Sequence, residues 1–123
     1  MNANDVLFEK VKKLKLPSGE YALFGSAPLG VRGLRECRDV DIIVSEDLWD
    51  EYKNKFNNDG DIELWKDWAP GQWNIAKLIK EAEIIDDLPF VKLEQVIEWK
   101  KLNGREKDLR DVEVAEKYLR DTK

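Results

Sequence analysis

Residues 21–45 read YALFGSAPLGVRGLRECRDVDIIVS. The apolar run Tyr21-Ala22-Leu23-Phe24 reads as a strand and stops at Gly25-Ser26. Glycine permits a turn that other residues resist, and serine can cap a helix begun after it. A second strand is expected over Asp39–Val44. Side chains alternate along a strand, so Asp39, Asp41 and Ile43 share one face and Val40, Ile42 and Val44 the other. Two same-face carboxylates then stand about 7 Å apart at Cα, two strand rises. Their repulsion grows as the site dries out, and a cation in the gap relieves it. Hard divalent ions take such oxygens, and Mg²⁺ commonly combines one or two carboxylates with substrate phosphates. A half-exposed strand with a polar outer face is the plainer reading of a lone D-x-D.

The order strand, Gly-Ser, twelve residues, D-x-D and apolar strand resembles the signature of the DNA polymerase β-like nucleotidyltransferase superfamily, above all its small single-domain members. The resemblance implies that Gly25 and Ser26 hold a nucleotide's triphosphate, and that Asp39 and Asp41 bind Mg²⁺ or Mn²⁺. It also implies a third carboxylate on a later strand. Glu63 is the choice, because Glu63-Leu64-Trp65 looks like the family's acid-apolar-aromatic motif. Asp61 and Asp67 compete for the role, and the family more often has Asp there.

Composition narrows the chemistry. A chain of 123 residues is expected to form one domain with a core that needs no disulfide. Cys37 is the single cysteine and histidine is absent, which excludes internal disulfides, Ser-His-Asp and Cys-His catalysis, and histidine metal ligation. A metal must therefore be held by oxygen. The net charge of −5 argues against broad nucleic-acid binding. A small-molecule acceptor, a tRNA or other RNA end, or a protein remains open. The polar N-terminus shows neither signal peptide nor membrane span, and the lone cysteine fits a reducing cytoplasm.

Before the decisive stretch, a helix is expected over residues 5–16, capped by Asn4, with Leu7, Val11 and Leu14 inward and lysines late. Pro17-Ser18-Gly19 breaks it. After Ser26, Pro28 suits the first turn of a short helix whose amino end would support the Gly-Ser turn. Gly25 to Gly30 imitates P-loop spacing, but Val31-Arg32 replaces the Lys-Ser/Thr pair, so a P-loop is rejected. Arg32, Arg35 and Arg38 read either as charge balance for Glu36, Asp39 and Asp41 or as triphosphate contacts. Arg32 and Arg35 are assigned to the nucleotide.

Beyond Val44, Ser45 caps a helix expected over 46–57 with Leu48, Tyr52 and Phe56 inward. A strand is expected over 61–65, with Ile62 and Leu64 on one face and Asp61, Glu63 and Trp65 on the other. The loop 66–74 carries Trp68 and Trp73, which can stack on a base or pack beneath the loop. Asn74 caps a helix to about Glu81, residues 83–86 form a short strand, and Asp87-Leu88-Pro89 turns the chain. Helices are expected over Leu93–Asn103, ended by Gly104, and Arg105–Arg120, with Leu109, Val112 and Leu119 inward.

The segment K-x-x-x-x-R-x-K-D-x-x-D (Lys100, Arg105, Lys107, Asp108, Asp111) resembles the carboxy-terminal motif of small nucleotidyltransferases, including toxins of the AbiE class. That resemblance adds Lys107 to the nucleotide-binding set and implies a partner protein of toxin–antitoxin type. Local physics also reads the segment as a structural clamp, with acids in the first turn of the last helix. The expected order is α-β-α-β-α-β-α-β-α-α: a small mixed sheet flanked by helices, an α/β fold closed by a C-terminal helical hairpin. The expected activity is transfer of a nucleoside monophosphate from an NTP to an acceptor hydroxyl. A non-catalytic regulator or antitoxin on the same fold is the alternative.

Overall fold

The structure is a computed structural model that describes residues 2–53 and 60–122. Helix α1 (Ala3–Lys13) leads into β1 (Tyr21–Phe24), and α2 (Ala27–Gly30) into β2 (Val40–Val44). Then come α3 (Glu46–Tyr52), β3 (Ile62–Trp65), α4 (Ile75–Lys80), the pair β4 (Glu83–Ile85) and β5 (Leu88–Phe90), and the helices α5 (Leu93–Asn103) and α6 (Glu106–Asp121). The five strands form one mixed sheet in the order β3-β2-β1-β5-β4. The β1–β2 and β4–β5 pairs are antiparallel, while β2–β3 and β1–β5 are parallel.

The strand sequences explain their places. Every residue of β1 is buried, as an unbroken apolar run in a central, doubly covered strand should be. Edge strand β3 alternates, with Ile62 and Leu64 inside and Glu63 and Trp65 outside. One face of the sheet packs Leu23, Val40, Ile42 and Phe90 against Leu7, Phe8 and Val11 of α1 and Leu48 of α3. The other packs Ala22, Phe24 and Ile43 against α4, α5 and the tryptophan loop. A third cluster joins Leu29 of α2 to Leu93, Ile97, Val112 and Ala115 of the α5–α6 hairpin. Asp41 therefore lies on the sheet face that carries α5 and the tryptophans.

Several sequence expectations are corrected. The cap of α1 is Asn2, whose Oδ1 accepts from Asp5 N at 2.9 Å. Asn4 is instead buried and ties α1 to the loop after α2: its Nδ2 donates to Arg35 O at 2.9 Å and Gly30 O at 3.3 Å, and its Oδ1 accepts from Cys37 N at 2.8 Å. Asp87-Leu88-Pro89 is not a turn. The turn is Asp86-Asp87, both at positive φ (51° and 68°), which suits a two-residue hairpin and turns Leu88–Phe90 into a buried fifth strand. Leu109 is 48% exposed, because α6 turns inward the face of Asp108, Val112 and Ala115. Phe56 and the expected end of the third helix lie outside the described residues.

Other expectations stand. Ser45 Oγ accepts from Leu48 N at 3.1 Å, Asn74 Oδ1 from Lys77 N at 3.0 Å, and Gly104 closes α5 at φ 69°. Among the described residues no helix is long and apolar enough to cross a membrane.

Candidate functional site

The parallel pairing of β2 and β3 sets Asp41 opposite Glu63 in register, and the antiparallel pairing of β1 and β2 sets it opposite Phe24. Gly25 follows Phe24 at φ 65°, in the left-handed region that favours glycine. Its Cα packs against the Asp41 carboxylate so closely that a Cβ there would stand 2.7 Å from Oδ2. The other carboxylate oxygen, Oδ1, accepts from Trp65 Nε1 at 3.1 Å. Asp41 is thus gripped between the turn after β1 and the indole at the end of β3.

The environment raises the Asp41 pKa from 3.8 to about 6. Burial is the largest cause, the charges of Asp39 and Glu63 add to it, and the Trp65 N–H bond opposes it. The charges of Asp39, just before β2, and of Glu63 thus reach Asp41, although both of these side chains are exposed.

The three candidates for the third acid sit differently, and Glu63 borders neither of the two cavities that Asp41 lines. Asp61 pairs with Lys10 of α1 at 2.6 Å, on the opposite side of the sheet edge. Asp67 is exposed in the loop after β3 and, with Asp41, lines a larger cavity beside this site. Neither contributes to the rise at Asp41.

A cleft of about 200 Å³ opens at this junction, bordered by Gly25, Ser26, Arg35, Arg38, Asp39 and Asp41 on one side. The C-terminal hairpin supplies the other wall through Trp99, Lys100, Arg105, Lys107 and Asp108. The two stretches singled out in the sequence, residues 21–45 and 100–111, meet here. Ser26 does not cap α2 with its side chain, and α2 is only four residues long, so the expected support from a helix amino end is slight. Cys37 Sγ donates to Ser26 O at 3.4 Å behind the turn, and burial pushes its thiol pKa up.

The basic residues divide sharply. Arg32 does not reach the cleft: its Nη1 donates to Pro28 O at 2.7 Å, its Nη2 faces Glu83 at 3.4 Å, and its guanidinium lies 5.8 Å from the Tyr118 ring centroid. That geometry makes it a strut between α2, β4 and α6. Arg35 borders the cleft but is tied to Asp111 at 2.6 Å. Lys107 and Arg38 are exposed at the mouth.

Lys100 was not expected inside. It is buried between Asp108 (3.5 Å) and Asp111 (3.0 Å), and Arg105 Nε donates to Asp108 Oδ2 at 2.7 Å. Asp108 has no exposed surface; burial opposes its ionisation, yet the Arg105 bond and the Lys100 charge hold its pKa below the usual value. The carboxy-terminal motif is thus both a clamp and a wall of the cleft. The sequence carried a signal for the buried lysine: Val96, Ile97 and Lys100 recur at helical spacing on one face.

Among the described residues no three acidic side chains close around a single point. The donor chemistry nevertheless suits a hard divalent ion. Asp39 and the Oδ2 of Asp41 offer carboxylate oxygens beside a cleft with room for phosphate, the kind of mixed site Mg²⁺ uses. No family model matches this chain, nor does any curated protein or solved structure.

Proposed function

We propose that this chain is a Mg²⁺-dependent (or Mn²⁺-dependent) nucleotidyltransferase that moves a nucleoside monophosphate from an NTP to an acceptor hydroxyl. The observation that supports this reading is that Asp39 and Asp41 border one basic-rimmed cleft together with the Gly25-Ser26 turn, while Glu63 stands in register beside Asp41 on the next strand. Asp39 and Asp41 would hold the ion, which when bound neutralises phosphate charge and orients the leaving pyrophosphate. The backbone of Gly25-Ser26, with Lys107 at the mouth, receives the triphosphate. The acceptor oxygen attacks the α-phosphorus, the bond to the β-phosphate oxygen breaks, and pyrophosphate leaves. Glu63 takes the acceptor's proton, or adds its charge to the ion site. Positioning and charge neutralisation supply most of the acceleration, because such transfers ask little covalent chemistry of a protein.

Incubating the protein and Asp41→Asn with α-labelled NTPs, Mg²⁺ or Mn²⁺, and tRNA, protein or small hydroxylic acceptors tests the reading. Label transfer by the wild type alone is the expected result. Equal affinity of both proteins for a non-hydrolysable NTP with Mg²⁺ would sink it.

A second reading, a non-catalytic regulator or antitoxin that works by protein binding, draws on Leu102, Leu109 and Val114. The hairpin leaves these 55, 48 and 41% exposed. A cellular effect that survives Asp41→Asn but not Leu109→Asp would favour it.

A further inference from the structure

The acid cleft shares Asp41, Trp99 and Arg105 with a larger cavity of about 770 Å³. Trp49, Trp65, Trp68 and Trp99, four of the five tryptophans in the chain, line it. Gly25 and Ser26 border only the smaller cleft. A volume of this size falls within the range that encloses a small molecule rather than a polymer.

Its charged lining residues are Asp41, Asp67, Lys66 and Arg105, and Arg105 is already paired with Asp108. Two of the indoles already carry a cation, since Lys66 Nζ lies 6.0 Å from the Trp49 centroid and Lys100 Nζ 5.2 Å from that of Trp99. Trp68 is stacked on Phe24 at 4.7 Å. Trp65 is different. It is 37% exposed, meets Trp68 edge to face at 5.8 Å, and its ring is held by the Nε1 bond to Asp41. A partly open indole, fixed in direction and backed by other aromatics, is a platform for a flat π system.

We propose that this cavity is the nucleobase site of the nucleotide whose phosphates lie at Gly25-Ser26, with the base stacked on Trp65. The assignment rests on the nucleotidyltransferase reading. Asp41 stands where the two cavities join, so one nucleotide can place its base in the larger and its phosphates in the smaller. The cavity, at about 770 Å³, is roomy enough to take the sugar as well as the base.

Calorimetric titration of the full chain with Mg²⁺ tests this, using the four common ribonucleosides, their NTPs and inorganic tripolyphosphate as separate probes. The variants are Trp65→Ala and Trp65→Phe. Both lose the N–H to Asp41, but only the first loses the ring, so the pair separates stacking from support of the carboxylate. Expected is a nucleoside that competes with its own NTP, with affinity for both falling about ten- to a hundredfold in Trp65→Ala and only about threefold or less in Trp65→Phe. Tripolyphosphate should bind both variants alike, because each loses the same bond to Asp41. Nucleoside binding with no tripolyphosphate binding would overturn the phosphate site and leave the stacking site standing. Tripolyphosphate binding with NTP affinity unmoved by Trp65→Ala would overturn the stacking site and leave the phosphate site standing. Equal losses in both variants, or simultaneous binding of nucleoside and NTP, would also overturn the proposal, the latter by assigning the cavity to a second molecule.

Discussion

Asp41 carries opposing demands. The fold favours its neutral form, so the stability linked to it is fully present below the unfolded value near 3.8 and is lost as pH rises through about 6. Asn mimics the neutral carboxyl and can still accept from Trp65. Asp41→Asn should therefore match the wild type near pH 4 and exceed it at pH 8 by about 1–2 kcal/mol, after allowance for partial exposure. Urea denaturation across pH with divalents chelated is the check; equal stability at pH 8 would contradict it. Gly25 is the neighbour that pins this carboxylate. In Gly25→Ala the positive φ costs about 1 kcal/mol, and the new methyl displaces the Asp41 carboxylate as well. Thermal unfolding should show a drop, and NMR titration of Asp41 should show its pKa move.

At the scale of elements, two asparagines at the start of the chain's first helix have unlike tasks. Asn2 caps α1, and its loss to Ala should cost about 1 kcal/mol. Asn4 docks α1 on the loop that leads to Asp39, and Asn4→Ala leaves buried partners at Gly30, Arg35 and Cys37 unmet, a cost of about 2–4 kcal/mol. The ratio is what denaturation must reproduce; a cheaper Asn4→Ala would mean that water replaces its bonds. Gly30 lies in the same joint, where a Cβ would overlap the Cys37 sulphur, so that loop has little freedom to shift.

Over the whole molecule, the ion network of Arg35, Lys100, Arg105, Asp108 and Asp111 fastens the C-terminal hairpin across the cleft. The lowered pKa of Asp108 means that its contribution is present above about 3.8 and is lost as pH falls through its depressed folded value, the reverse of Asp41. Asp108→Asn should cost about 3 kcal/mol at pH 7, since it weakens the partners of a buried lysine, and less at pH 3. Equilibrium unfolding of the variant at both pH values checks this. A loss that does not shrink in acid would point to packing rather than charge.

Much of this molecule could be read from local pattern. Alternation over residues 39–44 and 62–65 placed the acids opposite a buried apolar face, because a strand's side-chain period is two whatever lies beside it. Ser45, Asn74 and Gly104 marked helix ends through bonds that span three or four residues. What only the tertiary structure decided depends on partners far along the chain. The parallel seat of β3 beside β2, which brings Glu63 opposite Asp41, is one such choice. The Arg32 side chain turned to Glu83, 51 residues away, instead of to the cleft. Asn4 crossed to residues about thirty positions on, and Lys100 was drawn inside by two carboxylates of the next helix. A side chain's face is set by its own strand or helix, but its partner is set by how those elements pack, and packing answers to the whole apolar pattern at once.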